Sequence, residues 1–391
     1  MPAASLSIKS LCAGLDLSPE VLRFAHIPGG KVVFGAGCLD QLGAEADRLG
    51  GKKVLLVTDP GIARTGAVER AVRSLESAGL TPVIYDHVRE NPTTDDVDRG
   101  VLAAREHGID LIVGLGGGSS LDTAKGVNFL VSNGGTMHDY WGVGKATRPM
   151  LPFIAIPTTS GTGSECQSFA LIADAVTHAK MACGDRGAAA AVALLDPELT
   201  LTMPARVTAH TGIDAIAHAL ETAVCRKRNE ISYAYSTAAW KLLSLGLARV
   251  LDDPGDLEAR ARMQLGAAFA GTAIENSMLG LAHSCANPLT AHYGIVHGQA
   301  VGTMLPAVIR FNRQDSAAAA IYDQLGAGKP VEELVAELLQ RCRMAAPLSE
   351  QGVGESLLST LAAEAAKQWT AQFNPVSAGE AELEALYRAL W

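Results

Sequence analysis

Short apolar runs alternate with amphipathic stretches through the first half of the chain. Residues 53–58 (KVLLVT) form an apolar run stopped by Asp59-Pro60-Gly61, the pattern of a buried strand and its turn. Val68, Ala71, Val72 and Leu75 then recur at helical spacing within residues 68–78. Residues 82–85 read as a second strand, 94–107 as a helix opened by the polar stretch 92–96, and 110–114 and 152–156 as further strands. Strands alternating with helices predict parallel βαβ units in a doubly wound sheet. After Met203-Pro204 the β-branched runs fade, and residues 208–223, 230–251 and 257–273 are Ala- and Leu-rich helical segments. The expected architecture is therefore an α/β amino-terminal domain with a parallel sheet, residues 1–203, followed by an all-α domain, residues 204–391.

Composition narrows the function more by exclusion than by indication. A chain of 391 residues suits two domains, and 48% hydrophobic against 19% charged residues leaves no difficulty in burying their cores. A net charge of -9 argues against nucleic acid or an anionic membrane as the main partner. The seven cysteines are odd in number and contain no CxxC pair, so a reducing, cytoplasmic compartment is expected rather than a disulfide framework. Residues 5–17 carry Lys9, Ser10 and Asp16 and make a poor signal peptide. No uncharged run is long enough for a transmembrane helix.

The clearest chemical motif is the glycine-rich stretch 114–125 (GLGGGSSLDTAK), which follows a buried strand and opens a helix. Glycines let backbone N–H groups approach an anion, and the helix terminus adds positive dipole. Ser119 and Asp122 have capping-box spacing, which is expected to fix that helix start. There is no Walker A, and Ser119 stands where a strict GxGxxG has its last glycine. A second loop, residues 157–165 (PTTSGTGSE), also follows a strand, and its hydroxyls suit the phosphates and amide of a dinucleotide. Asp59, at a strand end, would accept from a ribose 2′-OH and repel a 2′-phosphate, favouring NAD. The plain alternatives are a ligand-free glycine turn, an exposed Ser/Thr turn, and a turn Asp before Pro60-Gly61.

Asp214 and His218 stand four apart in an otherwise apolar helical segment, so they share one face and are expected to be buried. A buried Asp–His pair is costly unless hydrogen-bonded or metal-coordinated, and either would satisfy it. A second stretch, 280–298, holds His283, His292 and His297. Pro288 and Gly294 argue against one continuous helix there, so its histidines are expected on separate elements. One carboxylate with three imidazoles suits Fe2+ or Zn2+ with a position left for a substrate oxygen.

Together these residues resemble the iron-containing (group III) alcohol dehydrogenase family over most of the chain. The resemblance runs from residues 33–37 (VFGAG) through Gly116, Gly117, Gly118 and Ser119, the 157–165 loop, the Asp214/His218 pair and His283/His297. It implies a dehydroquinate synthase-like architecture with the site in the cleft between the domains, and metal ligation by Asp214, His218, His283 and His297. It implies NAD contacts near Asp59, Asn91, Gly117, Gly118, Ser119, Thr158, Thr159, Thr162 and Lys180. The implied reaction is hydride transfer between a small alcohol or aldehyde and nicotinamide, with the metal as Lewis acid, in a homodimer or larger homo-oligomer. Glycerol dehydrogenase and lactaldehyde reductase activities are alternatives within the same superfamily. A dehydroquinate synthase-like lyase is the alternative outside it, and Arg226-Lys227-Arg228 is the one basic cluster that bears on it. Many family members carry another His four residues after the first of the second pair, where this chain has Asn287. His292 is the expected substitute proton carrier, with a plain surface position as the alternative.

Overall fold

The computed structural model describes residues 29–391, so the reading of residues 5–17 and the start of the amino-terminal domain lie outside it. The first half is built on strands β1 (Lys31–Phe34), β2 (Lys53–Val57), β3 (Thr81–Tyr85), β4 (Leu111–Gly116), β6 (Phe153–Pro157) and β9 (Val192–Leu195), all parallel. The sheet order is β1-β9-β6-β4-β2-β3. β4, β6 and β9 are buried along their whole length, as central strands covered on both faces must be. Helices α1 (Leu42–Arg48), α2 (Ala67–Ser77), α3 (Thr94–His107) and α4 (Gly118–Asn133) connect the strands. Thr93 and Asp96 form a capping box at the start of α3, and Gly108, at φ 63°, ends it.

A second, three-stranded sheet lies beyond what periodicity suggested. Its strands are β5 (Gly142–Val143), β8 (Lys180–Gly184) and β7 (Phe169–Ala173), with β7 antiparallel to β8. Among the described residues every strand ends by Leu195, and only helices follow from Ala205. They are α5 (Ala205–Val224), α6 (Glu230–Asp252), α7 (Leu257–Glu275), α8 (Leu281–Tyr293), α9 (His297–Asn312), α10 (Ser316–Gly326), α11 (Val331–Arg341), α12 (Leu358–Ala366) and α13 (Glu380–Leu390). α5 is at the centre of this half, packed by α6, α7 and α9, and is buried almost throughout.

The second histidine stretch is two helices, as expected, but only Gly294 of the two expected breakers divides it, and the part given to Pro288 is corrected. α8 runs through Pro288, and Gly294, at φ 63°, ends the helix instead. An interior proline costs about 3 kcal/mol. Packing of α8 between α9 and α12 offsets that loss. His283 and His297 therefore do come from separate helices.

The loop after β6 fixes how the two halves meet. A Cβ on Gly161 would lie 2.6 Å from Thr211 Cβ on α5, and one on Gly163 would lie 2.6 Å from Gly271 Cα on α7. A Cβ on Gly271 would in turn strike the Gly163 carbonyl. Gln264 of α7 donates to the Pro157 carbonyl at 3.1 Å. The glycines of this loop thus permit backbone-to-helix contact between halves.

Replacing Gly271 sets two effects against each other. Alanine favours a helix by about 1 kcal/mol. Overpacking against Gly163 costs about 1–3 kcal/mol. Gly271→Ala is expected to lower the urea midpoint, and an unchanged or raised midpoint would contradict this contact.

Candidate functional site

The carboxyl ends of β2, β3, β4 and β6 carry the loops singled out from the sequence. The chain leaves β2 for β3 on one side and returns as β4 on the other, so the strand order reverses between β2 and β4. Ligands of open α/β sheets bind at such a switch point. Asp59 follows β2 there. Its Oδ1 accepts from Gly61 N at 2.8 Å and Ile62 N at 3.1 Å, and its Oδ2 lies 3.4 Å from Ser120 Oγ beside the glycine turn. Asp59 therefore caps its own turn, and its second oxygen lies beside the glycine turn. Asn91 is exposed in the turn after β3, at φ 53°.

Gly117, not Ser119, is the N-cap of α4, and no side chain caps it. The capping box expected of Ser119 and Asp122 is corrected. Asp122 instead accepts from Ser164 Oγ at 2.7 Å and Leu171 N at 3.2 Å. The N–H groups of the first turn of α4 therefore have no side-chain cap, a place that could receive an anion. The two loops make one surface, because a Cβ on Gly117 would lie 3.2 Å from Thr159 Cγ2 and one on Gly118 would lie 2.7 Å from Thr162 Cγ2. Thr158 is buried and its N–H donates to the Gly116 carbonyl at 2.9 Å. Lys125, fully buried beneath, donates to Ser164 O, Ser164 Oγ and Phe169 O at 2.6, 2.8 and 2.9 Å. Lys180 opens β8 and is exposed, and its charge bears on both Asp122 and His297.

The second cluster lies in the helical half. Asp214 Oδ1 is 3.4 Å from His283 Nε2, 3.5 Å from His218 Nε2 and 3.7 Å from His297 Nε2. Ligand atoms of Asp214, His283 and His297 all lie within 4.8 Å of one another. The His218 and His283 rings stack at 4.8 Å, and His283 and His297 are 5.4 Å apart. Asp214, His218 and His283 are buried, whereas the His297 side chain is 32% exposed and forms the open side.

The polar accounting of this cluster points to a cation. Asp214 Oδ1 and His283 Nε2 are buried without hydrogen-bond partners. His218 Nδ1 lies near the Gly161 backbone yet closes no hydrogen bond. Metal–ligand bonds of about 2.1 Å in a tetrahedron put donor atoms about 3.4 Å apart, the spacing found around Asp214. Burial raises the Asp214 carboxyl, but His218, His283 and His297 together hold it well below the usual range. Burial draws the His283 imidazole down, but Glu221 and Asp214 push it up to about 9.

Two residues at this site escaped the sequence reading. Glu221, seven residues after Asp214 on the buried face of α5, lies 2.5 Å from His283 Nδ1 and accepts from Ala282 N at 2.6 Å. Its i, i+4, i+7 spacing with Asp214 and His218 was the available signal. Gln368 accepts from Asn287 Nδ2 at 3.0 Å, one helical turn from His283. Nearby, Trp369 approaches Phe169 of the first half, with ring centroids 6.2 Å apart.

His292 is not brought to this site. Nine residues along α8 turn it to the face opposite His283, where it pairs with Glu364 at 2.9 Å. The expectation that His292 carries the proton is corrected on that geometry.

Comparison with known proteins extends over nearly all the described chain. Residues 29–197 match the family model "Iron-containing alcohol dehydrogenase" and residues 208–391 match "Fe-containing alcohol dehydrogenase family, C-terminal". Alcohol dehydrogenase 4 of Schizosaccharomyces pombe is 35% identical over 365 residues, 91% of this chain and 86% of that protein. The NAD-dependent methanol dehydrogenase of Bacillus methanolicus is 36% identical over 280 residues, 72% of this chain and 74% of that protein. Among solved structures, a 1,3-propanediol oxidoreductase superposes with a TM-score of 0.89 at 30% identity, covering 94% of this chain and 100% of that one.

Glu165 closes the second loop, and its carboxyl generates a pH prediction. Burial pushes it up to about 7 from 4.5, against its own backbone N–H and Lys125. A carboxyl raised in the folded state contributes stability below its unfolded value, and that contribution is lost as pH rises from about 4.5 through 7. Glu165→Gln is expected to leave the melting temperature similar at pH 4.5 and raise it at pH 8, with a difference in stability on the order of 3 kcal/mol. Parallel pH profiles for the two proteins would contradict the assignment.

Proposed function

Because the chain belongs to the iron-containing alcohol dehydrogenase family, we propose that it is an NAD-dependent enzyme using a divalent metal held by Asp214, His218, His283 and His297. That it is an oxidoreductase of the alcohol and aldehyde class follows from the family. NAD, iron as the metal, and the residues assigned to each are our reading. The observation that carries it is the convergence of three imidazole Nε2 atoms on the unpartnered Asp214 Oδ1. Zn2+ suits the same donors and is the alternative metal.

When bound, the metal supplies Lewis acidity toward the alcohol oxygen and NAD supplies the hydride acceptor. The residues of the chain do the rest. Asp59, Asn91, Gly117, Gly118, Ser119, Thr158, Thr159, Thr162 and Lys180 are the proposed cofactor contacts, on loops from neighbouring strands and, for Lys180, the second sheet. Gly117 and Gly118 keep backbone N–H groups bare, and Asp59 offers Oδ2 to a ribose hydroxyl. The open side at His297 faces substrate and gives solvent the proton. Asn287 cannot exchange one near neutral pH. Phe169 and Trp369 make a ring contact between the halves, with centroids 6.2 Å apart.

The substrate class is small primary alcohols or aldehydes. The named relatives include a methanol dehydrogenase and a 1,3-propanediol dehydrogenase of Klebsiella pneumoniae, 31% identical over 369 residues. A lyase reading loses its basic cluster: Arg226 is engaged by Pro375 O and Ser377 Oγ, and Arg228 lies over the Tyr233 ring. We divide the domains at residues 203 and 204. A homodimer fits the edge strand β1, where Val32 and Phe34 are 49% and 43% exposed. Among the described residues no helix is long and apolar enough to cross a membrane. The cytoplasmic reading rests on an odd number of cysteines with no CxxC pair and on the free state of those among the described residues.

Metal-stripped protein refilled with Fe2+ or Zn2+ is expected to oxidise NADH with an aldehyde panel, whereas stripped protein is not. Equal turnover without metal would defeat the reading. His283→Ala is expected to lower metal affinity and activity at least about 10–100-fold while NAD affinity stays unchanged. Full metal occupancy with normal turnover would remove His283 from the set.

Asp59→Gly is expected to narrow the preference for NADH over NADPH, with some loss of stability from the uncapped turn. A kcat/KM for NADPH equal to that for NADH in the unmodified protein would contradict the role of Asp59.

A further inference from the structure

Glu221 is 3% exposed, and both of its oxygens are engaged. Oε1 accepts from Ala282 N at 2.6 Å, in the first turn of α8, and Oε2 lies 2.5 Å from His283 Nδ1. Among the described residues no lysine or arginine is paired with it, and its one ion-pair partner is His283. The approach of α8 is prepared by Gly280, where a Cβ would lie 3.2 Å from Glu221 Oε1 and 2.8 Å from Asn374 Oδ1. His283 Nε2, at the other end of the ring, is buried and unpartnered 3.4 Å from Asp214 Oδ1.

We propose that Glu221 is a positioning residue that keeps the His283 proton on Nδ1 and the lone pair of Nε2 aimed at the metal, while fastening α8 to α5. The inference rests on the metal reading above and adds a residue to it. Its chemistry follows from donor and acceptor counts. Ala282 N–H and His283 Nδ1–H are two donors, and a carboxylate offers two acceptors. A neutral imidazole protonated on Nδ1 has its lone pair on Nε2, the form a metal requires. A glutamine has one acceptor and one donor. It must either abandon Ala282 N–H or turn its NH2 toward His283 Nδ1. The second arrangement favours a proton on Nε2, where ligation is blocked. The carboxylate thus acts on the tautomer as well as on the orientation of the ring.

The test compares unmodified protein and Glu221→Gln, both metal-stripped, for Zn2+ affinity by competition with a chromogenic chelator. NAD affinity is measured on the same preparations. The expected result is a loss of about 10–100-fold in Zn2+ affinity with NAD affinity unchanged. In zinc-loaded unmodified protein, 15N-histidine spectra are expected to show His283 protonated on Nδ1, a readout independent of any variant. Zn2+ affinity of Glu221→Gln within about threefold of the unmodified protein, well short of the expected loss, overturns the proposal and leaves the metal reading standing. A zinc-loaded His283 unprotonated on Nδ1 does the same, even if the variant fails to fold. Failure of the unmodified protein to bind either Zn2+ or Fe2+ overturns both.

Discussion

The helical half is organised around one buried oxygen. Asp214 Oδ1 faces three imidazole nitrogens from three helices and has no hydrogen-bond donor of its own. Taking a carboxylate out of water costs several kcal/mol, and the helices that deliver the imidazoles supply what offsets it. Small residues make this tolerable. A Cβ on Gly298 of α9 would strike the His210 carbonyl of α5, and one on Gly302 would lie 2.7 Å from Ile213 Cγ2. α9 can therefore lie against α5 closely enough to bring His297 to Asp214. Glu221 fixes α8 from the other side.

The 157–165 loop transmits that order to the first half. One face of it touches Gly117 and Gly118, and the other touches α5 and α7. Beneath it, the Lys125 ammonium finds three oxygen acceptors, with Asp122 at 4.0 Å. Ser168, just before β7, is bound through N and Oγ by Glu275 of α7 at 3.0 and 2.6 Å. The glycine turn and the Asp214 cluster are thus joined through this one loop.

Most of this layout was legible in the sequence where periodicity was strong. The central strands are buried apolar runs, and residues 94–107 carried their own cap. β1, β9 and the three-stranded sheet were not read from the sequence, because β1 is largely exposed, β9 is an apolar run of only four residues, β7 and β8 mix buried and exposed positions, and β5 has only two residues. The ligand-type residues could be listed because an acid and imidazoles are rare on apolar helix faces. Their supporting partners could not, since the roles of Glu221 and Gln368 depend on contacts 62 and 81 residues apart. Asp122 shows the same limit. Local spacing suggested a cap, but the tertiary partner Ser164 won it. The side of α8 that carries His292 could not be read while Pro288 left the helix in doubt, and nine residues along one helix put it opposite His283.

Gly163 and Gly271 belong to different halves yet occupy one steric slot, each leaving space only for the backbone of the other. They therefore behave as a single inherited character. A chimera that joins this amino-terminal half to the helical half of a distant relative keeps its interface only if the donor also has a bare backbone at the facing position. Divergence at either glycine calls for a matching shift of α7, so this contact between the halves can change only by a concerted step. Loops elsewhere on the surface are free to drift one residue at a time.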